Sequence, residues 1–172
     1  PHTAVHVPLF PGKAFLGKSD DGPYGDWVEE VDWSTGEILK TLAELNLDEQ
    51  TLVLFTSDNG SAREKQGSNL PLRGRKGQTD EGGMRVPCIA RWPGTVPAGG
   101  VDKTSVIGAV DWLPTVCSIA DVPVPDIKPD GEDISDILQG RTRPRQRPLF
   151  CEWRAGVAWN KAYRPPGLAI RD

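Results

Sequence analysis

Asp58 and Asn59 stand where an apolar run stops, in Thr51-Leu52-Val53-Leu54-Phe55-Thr56-Ser57-Asp58-Asn59-Gly60. A carboxylate and an amide side by side on a tight turn offer two hard oxygen donors. Such donors suit Ca²⁺ or Mg²⁺ better than zinc, whose preferred ligands are nitrogen and sulfur. The same residues are also ordinary turn chemistry, and Asn59-Gly60-Ser61 is a glycosylation sequon. Sequon and ligand exclude each other, because a glycosylated amide cannot face a buried ion. A second concentration of chemistry runs from Leu72 to Arg85, where four cations are interspersed with four glycines. Glycine lets backbone approach a ligand closely, and cations give charge-assisted bonds to an anion. A solvated surface loop would have the same composition.

These residues need elements to hold them. The run Thr51–Phe55 reads as a strand buried on both faces, as in a parallel α/β sheet, whose ligands sit beyond the carboxyl ends of the strands. Ahead of it the spacing predicts a helix with Asp26 as N-cap and Glu29 closing a capping box. Val28, Val31, Thr35, Ile38, Leu42 and Leu45 recur every three or four residues as one apolar stripe, and Asn46 and Asp48 end it. Helix and strand make half of a βαβ unit, so a preceding strand is expected upstream of Pro1. Residues 1–25 read as loop, with Pro8 and Pro11 breaking any helix.

Val86–Trp92 reads as a second strand. A second helix is expected from Asp111 as N-cap to Ile119, with Pro114 in its first turn, and a short helical turn at Ile134–Leu138. Arg141 to Pro148 reads as an exposed, proline-broken basic connector. Leu149–Trp153 and Gly167–Asp172 read as two short strands, the last without a partner.

Bulk properties narrow the class. The 172 residues suffice for one domain with a core. Sixteen prolines and nineteen glycines point to long structured loops rather than a helical bundle. A net charge of −4 argues against a nucleic-acid groove or an anionic membrane surface as partner. Cys88, Cys117 and Cys151 form neither a metal spacing nor a disulfide framework.

Taken in order, the motifs resemble the sulfatases, the arylsulfatase branch of the alkaline-phosphatase-like superfamily. The matching stretches are His6-Val7-Pro8-Leu9, Thr56-Ser57-Asp58-Asn59-Gly60, Leu72-Arg73-Gly74-Arg75-Lys76-Gly77 with Glu81-Gly82-Gly83-Met84-Arg85-Val86-Pro87, and Trp92-Pro93-Gly94. Val110-Asp111-Trp112-Leu113-Pro114-Thr115 and Asp130-Gly131 with Leu138 follow in family order. The resemblance implies an α/β fold, part of a mostly parallel sheet flanked by helices over residues 1–140. A linker and the start of a small antiparallel C-terminal subdomain would occupy residues 141–172. It implies that Asp58 and Asn59 ligate a divalent cation, usually calcium. Lys76 would contact a sulfate oxygen, and His6 would lie beside the sulfate or the leaving ester oxygen. His2 falls outside the matching histidine.

The family's nucleophile is a formylglycine made within a Cys/Ser-x-Pro-x-Arg motif, and none of the three cysteines has that context. The motif and an aspartate pair completing the metal site are expected upstream. The chain is therefore read as the C-terminal portion of a sulfatase holding half of an active site, without turnover by itself. Its partners would be a sulfated small molecule or sulfated carbohydrate, and its place periplasmic, lysosomal or secreted. A phosphatase or phosphonate hydrolase of the same superfamily, or a non-catalytic carbohydrate- or partner-binding module on the same scaffold, are the alternatives.

Overall fold

A computed structural model describes residues 2–62, 67–153 and 167–171. The first element is helix α1, Gly22–Glu44. It starts earlier than the apolar stripe predicts, because Gly22 with φ +62° turns the chain and Pro23 occupies the first turn, where a missing N–H costs nothing. Asp26 is therefore not the cap. It lies inside the helix, and its buried carboxylate turns back to receive the amides of Gly17, Lys18 and Ser19 at 2.8, 2.9 and 2.8 Å. Glu30 receives the Gly12 amide at 2.7 Å, and the Phe15 ring packs at a tilt against Trp33, with centroids 5.6 Å apart. The loop before the helix is thus clipped onto its first turns. Asn46, at φ 56°, ends the helix as expected, since asparagine tolerates the left-handed conformation.

Strand β1, Val53–Thr56, follows a short 3₁₀ turn at Asp48–Gln50. It pairs antiparallel with β2, Cys88–Arg91, in the register Val53↔Arg91 to Thr56↔Cys88. Among the described residues the connection between them holds the one-turn helix α2, Glu81–Met84, and the antiparallel pairing shows that it doubles back instead of crossing over. Arg91 donates to Asp48 at 2.7 Å and the Trp92 indole to the Glu49 carbonyl at 2.8 Å, fastening β2 to the turn ahead of β1.

Helix α3, Trp112–Ile119, and the single turn α4, Ser135–Leu138, stand where the sequence predicts them. Strands β3, Leu149–Trp153, and β4, Gly167–Arg171, pair antiparallel, so the last strand does have a partner, contrary to the sequence reading. Arg171 pairs with Glu81, which attaches this hairpin to α2. Among the described residues both sheets are two-stranded and antiparallel. The expected parallel pairing is not among them, and Phe55 is exposed where a strand buried on both faces was expected.

Apart from Asp26 on α1, the best-buried residues gather around α3 rather than β1: Asp111, Thr115, Cys117, Glu132 and Ile134. Thr115 ties two segments together, donating to the Asp111 carbonyl at 2.6 Å and accepting from the Ile134 amide at 3.0 Å. On α1, by contrast, the apolar stripe remains largely uncovered, with Val28 45%, Ile38 51% and Leu45 61% exposed. No described helix is long and apolar enough to cross a membrane.

Most of the connector is exposed, as read from the sequence, but Arg143 and Arg145 turn inward from it. The Arg145 side chain is 2% exposed and meets Asp111 through two bonds of 2.6 and 3.0 Å. Arg143 reaches Glu132 at 3.0 Å and Asp136 at 2.9 Å. Asp111 also receives the Gly108 and Glu132 amides at 2.6 and 2.9 Å. Burial, the largest single influence on Asp111, raises its pKa. The Arg145 hydrogen bond, the two amides and the Arg145 charge together outweigh it and leave the pKa lowered.

Candidate functional site

The chain leaves β1 through Ser57 and bends at Asp58 and Asn59. Ser57 Oγ donates to the Asn59 carbonyl at 2.9 Å, and Asn59 Nδ2 to the Gly60 carbonyl at 3.1 Å. That leaves Asn59 Oδ1 without a donor among the described residues. The Asp58 carboxylate is exposed and makes no hydrogen bond or ion pair there either. Both oxygens are available to a ligand. Gly60 is buried against α2: its amide donates to the Gly83 carbonyl at 3.0 Å, and a Cβ there would lie 1.8 Å from the Gly82 oxygen. No residue with a side chain fits at that position.

The basic segment folds onto this turn. Gly74 and Gly77 both have positive φ, +92° and +82°, and bracket Arg75 and Lys76 in a tight loop. The Gly82 amide donates to the Arg73 carbonyl at 2.7 Å, and the Arg73 guanidinium pairs with Asp80. The Lys76 amide donates to the Ser61 carbonyl at 3.1 Å, only three residues beyond Asp58. Lys76 is half-buried, and its ammonium has no ion pair among the described residues. Structure thus brings three of the four predicted residues, Asp58, Asn59 and Lys76, onto two segments bonded to each other.

His6 is exposed. Its Nδ1 lies 2.7 Å from the Val7 carbonyl and its amide donates to Thr3. A protonated Nδ1 makes that contact and leaves Nε2 for another partner. No hydrogen bond or ion pair among the described residues joins His6 to the other three. The Ser61–Leu70 loop, expected to govern substrate choice, lies partly outside the described residues.

Two oxygens are a partial metal site. Calcium takes six to eight oxygen ligands, and no group of three or more His, Cys, Asp or Glu among the described residues could hold an ion. The donor type at Asp58 and Asn59 fits a hard cation; the donor number does not complete its shell. Cys88 is exposed on β2 and Cys117 buried in α3. Neither lies in a nucleophile motif.

Sequence reasoning missed Asn69. Its Oδ1 accepts from the Ser61 amide at 2.8 Å, and its Nδ2 donates to the Ser61 and Gly74 carbonyls at 3.0 and 3.2 Å. Ser-Asn-Leu-Pro reads as plain loop, and nothing local in it signals that one amide spans two segments.

The sulfatase family model matches residues 4–122, and the chain belongs to that family. It is 43% identical to human steryl-sulfatase over 149 residues, 81% of this chain and 25% of that protein. To the N-acetylgalactosamine-6-sulfatase of Sus scrofa it is 45% identical over 154 residues, 86% of this chain and 29% of that protein. Among solved structures, Ps i-CgsB in complex with k-i-k-neocarrahexaose superposes with a TM-score of 0.81 at 28% identity, over 98% of this chain and 37% of that one. The chain spans between a quarter and two fifths of the length of these relatives.

Proposed function

We propose that this chain contributes part of the active site of a sulfuric ester hydrolase. The observation that carries the reading is the bond from the Lys76 amide to Ser61, which holds the lysine loop beside the Asp58-Asn59 turn. Asp58 and Asn59 Oδ1 would hold a divalent cation, Ca²⁺ or Mg²⁺, together with ligands from outside these residues. When bound, the cation supplies charge neutralisation on the ester's sulfate oxygens. Lys76 places a second positive charge against a sulfate oxygen, where negative charge is gripped during S–O cleavage. His6, with Nδ1–H committed to Val7, gives the leaving oxygen a proton from Nε2 when the ring is the imidazolium, the form in which both nitrogens carry hydrogen. The formylglycine nucleophile would come from a segment not in these 172 residues. By this reading the chain alone holds half a site and does not turn over.

The mostly parallel sheet belongs to the same proposal. β1 and α1 are half of a βαβ unit, and strands beyond these residues would lie along β1 and cover the apolar stripe of α1. We divide the chain into a catalytic α/β part, 1–140, and the start of a small antiparallel subdomain, 141–172. The substrate would be a sulfated carbohydrate or sulfated small molecule. The names of the relatives, a steryl-sulfatase and an N-acetylgalactosamine-6-sulfatase, support both classes. A periplasmic, lysosomal or secreted setting is proposed from family membership alone.

The test uses the intact enzyme and an aryl sulfate. Lys76→Ala should lower kcat/KM by about 10²- to 10³-fold, the cost of losing one preorganised charge contact. Turnover near the wild-type level removes Lys76 from the site and the reading with it.

A further inference from the structure

We propose that Asn69 is the positioning residue that sets the reach of Lys76 relative to the Asp58-Asn59 turn, an inference that rests on the function proposed above. Three hydrogen bonds leave this one side chain. Two of them, to the Ser61 amide and carbonyl, copy the paired contact that one strand makes with another. The third grips Gly74, where the lysine loop begins. The Ser61 carbonyl in turn receives the Lys76 amide. Asn69 therefore holds both ends of the span between turn and lysine, while touching neither Asp58 nor the ammonium.

The amide is the group this geometry needs. Ser61 presents a donor and an acceptor side by side, and Gly74 a second acceptor. Only a carboxamide offers one acceptor and two donors from a single planar head. Asn69→Asp keeps the shape and turns the donor edge into an oxygen facing two carbonyl oxygens. The clamp would then repel, and the lysine loop would be released from Ser61. Misplacing a charge-stabilising group by about 1 Å can cost on the order of 10²-fold in rate.

A double-mutant cycle in the intact enzyme tests this, with kcat and KM measured on an aryl sulfate and folding checked by thermal unfolding. Asn69→Asp should lower kcat about 10²-fold when Lys76 is present, and by less than about threefold in the Lys76→Ala background, since the two residues act as one unit. Equal losses in both backgrounds would mean Asn69 serves the fold alone, and that overturns the inference. Should Lys76→Ala itself be harmless, the proposed function fails first, and the inference falls with it. Asn69→Ala, which adds no charge, guards against a variant that does not fold. In it the Lys76 amide should exchange with solvent at least about tenfold faster. Unchanged protection there shows that the clamp does not hold the loop.

Discussion

Taking away the Asp58 carboxylate removes one of the two side chains that this chain offers a cation, and among the described residues no hydrogen bond or ion pair depends on that carboxylate. The substitution Asp58→Ala should therefore spare folding and lower bound metal. In the intact enzyme, elemental analysis after dialysis against a trace of Ca²⁺ should show stoichiometry falling well below the wild-type value, with the unfolding temperature little changed. Metal content equal to wild type would place the ligands elsewhere. At this scale the sequence was readable in part. Asp58, Asn59 and Lys76 stood out by type, glycine context and motif order, and the two segments that carry them are joined by the Lys76–Ser61 bond. Asn69 did not stand out, because its importance lies in three backbone groups at Ser61 and Gly74, which no side-chain pattern encodes.

Elements were legible where local chemistry decides them and obscure where distant partners do. Asn46, Pro114 and the short apolar run in Val86–Trp92 marked a helix end, a helix start and a strand within a residue or two. Asp26 misled, because an aspartate ahead of an apolar stripe is the usual N-cap signature, whereas this one caps a preceding loop. Its three amide bonds make a stability switch. The Ser19 amide, then that of Gly17, lowers its pKa below 3.8, against a smaller rise from burial, and Lys18 adds to the lowering. With the folded pKa depressed, the stabilisation is fully present above the unfolded value near 3.8 and is lost as pH falls through the lowered one. Asp26→Asn at neutral pH should loosen the 12–20 loop in the same way that acid does in the native chain. Hydrogen exchange at Gly17, Lys18 and Ser19 should quicken by at least about tenfold, while α1 amides beyond Val31 hold. Exchange that does not change at those three amides would show that the loop is fastened by something else.

On the scale of the whole molecule, the largest surprise is where burial concentrates. Arg143 and Arg145 lie in a stretch whose composition is that of an exposed connector, and their acidic partners, Asp111, Glu132 and Asp136, are spread over the preceding segments. Charge pairing across such distances leaves no periodic trace, so the segment reads as solvated until its partners are in place. Breaking the fully buried pair should be costly: Arg145→Ala is expected to lower stability by about 3–5 kcal/mol, since it leaves the Asp111 charge buried with two backbone amides and no cation. Replacing both together, as Asp111→Leu with Arg145→Met, should cost less than the single change. Urea unfolding of the three proteins decides it, and a loss under about 1 kcal/mol for Arg145→Ala would show the pair to be incidental.

Gly60 rests directly on the Gly82–Gly83 turn, peptide against peptide, with no room for a side chain between them. Spacing across that seam is therefore set by covalent geometry and not by rotamers, which differ from one residue to the next. Under the proposed function, the grip on the sulfate group is then the least adjustable part of the enzyme. A taste for a new ester has to be acquired in the walls around the leaving alcohol, while the hinge-free seam keeps its gauge.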